Sequence, residues 1–306
     1  MKCVGMVVLV CLAAPAAFAD SVPDLIKQLQ DDKLEVRLAA ADALANLGPA
    51  AKDAIPALTA ALKNDKEPRA RAYAAFALKQ MGAEAKGAIP ALTDALKDKD
   101  EEVRSVSADA LGQFGSDAKA AVPALADALK DPDSGPHAAQ ALGRMGPDAK
   151  DALPALTAAL QDAGVRPYAA QTIGKLGPAG LPVLTKALED KDEDVRVYAV
   201  LALRLIGPDA VPALVSALKD KELEVRLNAA MVLGRFGPDA KAAVPALIDT
   251  LKDTSGDVRL QAAQALGRIG PDAKAAIPAL QEAAKDSNED AARAAAEALK
   301  SIQQNM

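Results

Sequence analysis

Tryptophan is absent, aromatic residues make up 2% of the chain, and histidine and cysteine number one and two. A compact core of this length ordinarily draws on Phe, Tyr and Trp, which bury the most area per side chain. Burial here falls instead to Ala, Leu, Val and Ile, since 51% of the 306 residues are hydrophobic. Side chains that small suit closely packed helices, and that much apolar content excludes a disordered chain. Runs of period two are missing, so strands are not expected. The formal net charge of −6 lacks the basic excess of a nucleic-acid binder. A Gly-rich phosphate loop, paired catalytic carboxylates and a Ser-His-Asp arrangement are also missing. We therefore expect no enzyme activity, no metal and no cofactor.

What is present begins with an address. Lys2 precedes an apolar run from Val4 to Leu12, Pro15 interrupts it, and Ala17-Phe18-Ala19 gives a small-x-small site before Asp20. This is the layout of a secretory signal peptide over residues 1–19, cleaved between Ala19 and Asp20. The apolar segment is shorter than the roughly 20 residues that span a bilayer. Both cysteines, Cys3 and Cys11, lie inside it, so the mature chain has none. Without Lys2 the basic count falls from 36 to 35 against 42 acids, or −7. The expectation is an exported protein, periplasmic or extracellular, with one domain over residues 20–306.

That domain is one unit written nine times. An apolar-Pro pair recurs with prolines at Pro23, Pro56, Pro90, Pro123, Pro154, Pro182, Pro212, Pro245 and Pro278, spaced by 28 to 34 residues. Each copy reads as helix A, carrying the Pro, and helix B, whose apolar positions step by three and four. Asp100, Asp192, Ser255 and Asn288 are cap-type residues at the start of helix B. Glycine ends helix B in eight copies, from Gly48 to Gly270, and Pro follows at once in six of them. The ninth copy lacks this stop and reads as a polar cap. One helix pair cannot bury its own stripe, so the copies must stack into an all-α solenoid.

Ankyrin and tetratricopeptide arrays share the period, but their Thr-Pro-Leu-His turn and large aromatics are absent. What remains is Pro in helix A, then Asp, then Val-Arg opening helix B. The pairs are Asp31 with Arg37, Asp98 with Arg104, Asp190 with Arg196, Asp220 with Arg226 and Asp253 with Arg259. This resembles HEAT repeats, in particular the short phycobilisome-lyase-like variety, in an exported bacterial type. The resemblance implies an Asp-Arg ladder between successive repeats, with helix B on the concave face. Copies four and nine depart, with Gly135 and Ala292 at the Arg position. Gly135-Pro136 and the shortened copies four and five mark the expected weak seam. Deoxyhypusine hydroxylase has similar repeats but holds iron with several His-Glu pairs, which one histidine cannot supply.

Counting from the helix-B Arg position, residues two, five and nine further on share one flank of the helix. All three tyrosines and the histidine fall in the first of these columns: Tyr73, His137, Tyr168 and Tyr198. Through copies four to eight the flank carries His137, Gln140 and Arg144, then Tyr168, Gln171 and Lys175, then Tyr198 and Leu201, then Met231 and Arg235, then Arg268. Tyr, Arg and Met are enriched at recognition surfaces. Cations in a last helical turn also suit the helix dipole whatever the function. The expected role is a non-enzymatic scaffold that binds a protein or peptide with acidic groups on this face, and no nucleic acid. The alternative is a lyase-type or modifying helper related to bilin lyases, with active groups not identifiable.

Overall fold

The structure is a computed structural model that describes residues 21–304; the expected signal segment and its Ala19/Asp20 cleavage site lie outside the described residues. The described residues form nine helix pairs and no strand. The A helices are α1 Val22–Gln28, α3 Ile55–Asn64, α5 Ile89–Ala95, α7 Val122–Ala128, α9 Leu153–Ala159, α11 Leu181–Ala187, α13 Val211–Ala217, α15 Val244–Thr250 and α17 Ile277–Ala283. The B helices are α2 Leu34–Leu47, α4 Pro68–Gln80, α6 Glu101–Phe114, α8 Gly135–Met145, α10 Arg166–Lys175, α12 Glu193–Ile206, α14 Leu223–Phe236, α16 Gly256–Ile269 and α18 Glu289–Gln304. None is long and apolar enough to cross a membrane.

Local chemistry sets these boundaries. The recurring Pro occupies the first turn of each A helix, where its missing N–H costs nothing. The eight stop glycines all have positive φ, from 53° to 94°, a conformation that strains any residue with a Cβ. Asp100 accepts from the backbone N–H of Glu102 and Val103, Asp192 from Asp194, and Asn288 from Ala291. Ser255, expected as a cap, makes no such bond; its own N–H donates to Asp253. After each glycine comes a 3-10 turn that the sequence reading did not anticipate. Buried alanines such as Ala51, Ala118 and Ala240 close these turns.

B helices pack on B helices along the whole array, whereas A helices touch one another sparsely. Five B helices carry a glycine where the next helix comes closest. A Cβ at Gly112 would sit 2.9 Å from the Cα of Ala141, and one at Gly174 would sit 2.6 Å from the carbonyl oxygen of Ala202. Real Cβ contacts are never that short, so glycine is what lets these helices approach. The core is one continuous column of Leu and Ala, with Leu44, Leu78, Leu111, Leu142 and Leu233 fully buried.

An Asp-Arg ladder ties the copies together, and each rung crosses to the next repeat. Arg37 Nε and Nη2 donate to Asp65 at 2.7 and 2.9 Å, while Nη1 donates to the carbonyl oxygen of Asp31 at 2.9 Å. Arg71 meets Asp98, Arg196 meets Asp220, Arg226 meets Asp253 and Arg259 meets Asp286 in the same bidentate way. Each arginine thus binds its own repeat's Asp through the backbone and the next repeat's Asp through the carboxylate. Asp31 heads the ladder; its carboxylate accepts only from the Lys33 N–H in the bonds described. Arg71, Asp65 and Asp286 complete rungs that the five sequence pairs left out.

The middle of the ladder is irregular. Arg104 reaches Asp131 through Nη2 alone, at 3.0 Å, because the Ser134 hydroxyl and backbone N–H also bind that carboxylate. The Arg104 Nε is buried without a partner. Gly135 supplies no rung, and a Cβ there would lie 2.9 Å from both the Leu129 carbonyl oxygen and Val165. Arg166 turns to Asp192 and Asp194 instead of Asp190, which takes Gln161. The Thr172 hydroxyl, bonded to the Ala139 carbonyl oxygen at 2.7 Å, is a buried link across the same seam.

Candidate docking strip on the B helices

The first column of helix B is half-buried through copies four to eight, the second is half-buried except at Gln171, and the third is exposed except at Leu205. Tyr168, Tyr198, Leu201 and Met231 are half-buried, while Gln171, Arg144, Lys175, Arg235 and Arg268 are exposed. Two of these cations, Arg144 and Lys175, reach back over a glycine of the preceding helix. The Arg144 Cδ would lie 3.3 Å from a Cβ on Gly112, and the Lys175 Cδ 3.4 Å from one on Gly143. These two aliphatic stems therefore cross the preceding helix where that helix has no side chain.

Tyr168, Gln171, Tyr198 and Leu201 come together around one cleft of about 280 Å³ between α10 and α12. Pro167, Leu205 and Arg204 complete its wall. Arg204 is exposed and escaped the column reading because it stands one residue before Leu205, the residue in register. It continues the row of cations through copy six. Arg268 belongs elsewhere: it lines a separate cleft between α16 and α18 beside Glu297. Met231 and Arg235 extend the strip past the tyrosine cleft without lining it. The strip at copies four to seven thus holds tyrosine, amide, aliphatic and cationic groups and no carboxylate in its three columns.

His137 is not a free contact. Its Nδ1 stands 3.1 Å from Asp109 Oδ1, and Lys79 Nζ stands 3.3 Å from Asp109 Oδ2. Burial alone would raise the Asp109 carboxyl, but the bond with His137 and the charge of Lys79 hold it below the usual range. Copies two, three and four are linked through this carboxylate. Gln140 is half-buried beside it on α8. Phe76, five residues after Arg71, is 37% exposed on the same flank of copy two. It stands in the second column but outside the copies from which the strip was assembled. Among the described residues no group of three or more His, Cys, Asp or Glu could hold a metal.

This architecture is that of a solenoid of helical repeats, and comparison with known proteins gives its family. The model of HEAT repeats matches residues 7–79, 55–136, 181–244 and 211–300, most of the chain. A PBS lyase HEAT-like repeat matches residues 137–162. The protein belongs to the HEAT-repeat family. Among solved structures it is similar to the karyopherin Kap121p bound to the extreme C-terminus of the phosphatase Cdc14p, at 14% identity and a TM-score of 0.67. That match covers 94% of this chain and 38% of the karyopherin. Kap95p with RanGDP gives 14% identity and a TM-score of 0.67 over 95% of this chain and 46% of the other. The chain therefore spans less than half of these karyopherins. The CpcE–CpcF phycocyanin lyase complex from Nostoc gives 22% identity and a TM-score of 0.42, covering 94% and 97%. No curated protein sequence matches.

Proposed function

We propose that this protein is an exported, non-enzymatic scaffold that docks a protein or peptide with acidic groups on the B-helix strip of copies four to seven. One observation carries the reading. Four exposed cations, Arg144, Lys175, Arg204 and Arg235, stand in a row beside a tyrosine-lined cleft, on a chain whose net charge is −6. An acidic partner is repelled by most of this surface and attracted by one strip, which sets its orientation. The tyrosines supply rigid contact area at low entropic cost. The solenoid offers an extended surface rather than an enclosed pocket, which suits macromolecules better than small substrates. The karyopherin neighbours, which bind protein segments, agree with this use of the fold.

A lyase-type helper is the second reading, favoured by the PBS lyase HEAT-like match over residues 137–162. Nothing in the tyrosine cleft supplies it with an activated nucleophile. The charge test separates the two. With a partner captured by pull-down on the whole chain, Arg144→Glu combined with Arg235→Glu should slow association about tenfold at low salt and flatten the salt dependence. Lys63→Glu, on the exposed side of α3, should leave both unchanged. An unaltered association rate in the double variant would remove the strip from consideration.

A further inference from the structure

Copy one carries half of a repeat interface that nothing among the described residues completes. Each seam glycine faces one position of the next B helix. A Cβ on Gly112, Gly234 or Gly267 would lie 2.9 to 3.1 Å from the Cα of Ala141, Ala265 or Ala298 respectively. In copy one that position is Ala43, which is half-buried, whereas its counterparts Ala77, Ala110, Ala141 and Ala202 are buried. One turn further on, Leu47 is 44% exposed, while its counterparts Met81, Phe114, Met145 and Leu176 are at most 6% exposed. Ala43 and Leu47 thus lie on the face of α2 that a preceding copy covers elsewhere in the array.

The ladder is open at the same end. The Asp31 carboxylate accepts the Lys33 N–H at 2.8 Å, just as Asp65, Asp220 and Asp286 accept the N–H two residues on at 2.8 to 2.9 Å. Those three also hold a guanidinium from the preceding copy, that of Arg37, Arg196 and Arg259. Asp31 is exposed and holds none. A carboxylate oriented in this way is the acceptor half of a bidentate rung.

The far end of the array lacks the donor half. Copy nine has Ala292 at the arginine position and an exposed Lys300 at the seam-glycine position. A second copy of this chain added head to tail would bring neither an arginine nor a close approach. Two copies joined by their first repeats would set Asp31 against Asp31, and like charges so placed oppose association. We infer that the copy-one face docks the end of a different helical-repeat chain. The last B helix of that chain carries an arginine at the ladder position and a glycine eight residues after it, as Arg226 and Gly234 stand here. Its arginine closes a rung on Asp31, and its glycine lets the helix lie against Ala43 and Leu47. This surface is separate from the strip of copies four to seven, and neither depends on the other.

Sedimentation velocity tests this with the protein as its own probe. The probe carries Ala292→Arg and Lys300→Gly, which put both groups on copy nine, and Asp31→Ala, which stops it from binding itself. Mixed with the unaltered chain it should form a complex of one with one, while each sediments alone as a monomer. Asp31→Asn in the unaltered chain should weaken that complex about tenfold or more, the worth of a hydrogen bond to a charged group. Leu47→Glu, at an exposed position, should abolish it. Should Lys300→Gly loosen α18, the probe with Ala292→Arg and Asp31→Ala alone carries the same test. No complex with either probe overturns the inference, and so does a complex indifferent to both Asp31→Asn and Leu47→Glu. A dimer of the unaltered chain makes a second copy the occupant. Binding that appears only once residues 1–19 are removed makes that segment the occupant. Either result overturns the assignment to a different chain.

Discussion

Asp253→Ala is expected to destabilise the array by about 3 kcal/mol, the low end for a largely buried ion pair that loses one partner. Arg226 Nε and Nη2 donate to that carboxylate at 2.7 and 3.1 Å, and both side chains are at most 14% exposed. With Asp253 truncated, the guanidinium keeps only the carbonyl oxygens of Asp220 and Lys221, and the Ser255 N–H loses its acceptor. The rung joins copies seven and eight. In a linear array the loss falls on that one interface, so copies eight and nine should unfold first in urea. Asp127→Ala removes an exposed carboxylate 3.7 Å from Lys130 and should stay within about 0.5 kcal/mol.

Acid should erase the difference between Asp253→Ala and the parent. Burial would raise the Asp253 carboxyl, but hydrogen bonds from Arg226 and from the Ser255 N–H hold it below the ordinary aspartate range. Such a group contributes fully above its unfolded pKa of about 3.9 and loses the contribution as pH falls through its lower folded value. The stability gap should thus be constant from pH 7 to about 5 and shrink below about 4. A gap that widens in acid would contradict the ladder's role.

Tyr168→Ala with Tyr198→Ala should weaken the captured partner by about 1–4 kcal/mol, the range for interface hot spots. Both tyrosines are half-buried, so part of each ring packs against the neighbouring repeat. Circular dichroism must therefore show an intact helical array before the affinity is read. Tyr168→Phe with Tyr198→Phe keeps that packing and the aromatic faces. If the rings are the contact, the Phe pair binds nearly as the parent does and the Ala pair does not. If both pairs bind like the parent while folded, the cleft is not the anchor.

Much of the architecture was legible because its punctuation is chemical. A proline in the first turn marks the start of every helix A, and a glycine at positive φ marks the end of helix B in eight copies, whatever lies around them. The ladder was legible in composition but not in connection. Which Asp meets which Arg depends on the offset between stacked copies, and Arg37 reaches Asp65 across 28 residues. The 3-10 turns went unseen because Gly-Pro-Asp-Ala-Lys-Ala-Ala reads as loop, and only packing against the next copy buries its alanines.

At the strip, Tyr168, Gln171, Tyr198 and Leu201 met as their spacing implied. His137 did not remain open, because Asp109, five residues after Arg104 on helix B of the preceding copy, takes it. Arg204 was missed for standing one residue out of register. The interior glycines Gly112, Gly143, Gly174, Gly234 and Gly267 were a visible signal left unread. They recur at one position of helix B, where glycine costs helix stability and so needs a reason such as close approach.

Hydrogen exchange on the protein with and without its captured partner tests the docking face most directly. Protection should appear in the helices Arg166–Lys175, Glu193–Ile206 and Leu223–Phe236 and the end of Gly135–Met145. Their partner A helices, Leu153–Ala159, Leu181–Ala187 and Val211–Ala217, should exchange as they do alone. Protection confined to those A helices, with the B helices unchanged, would put the partner on the opposite side of the array and contradict the account.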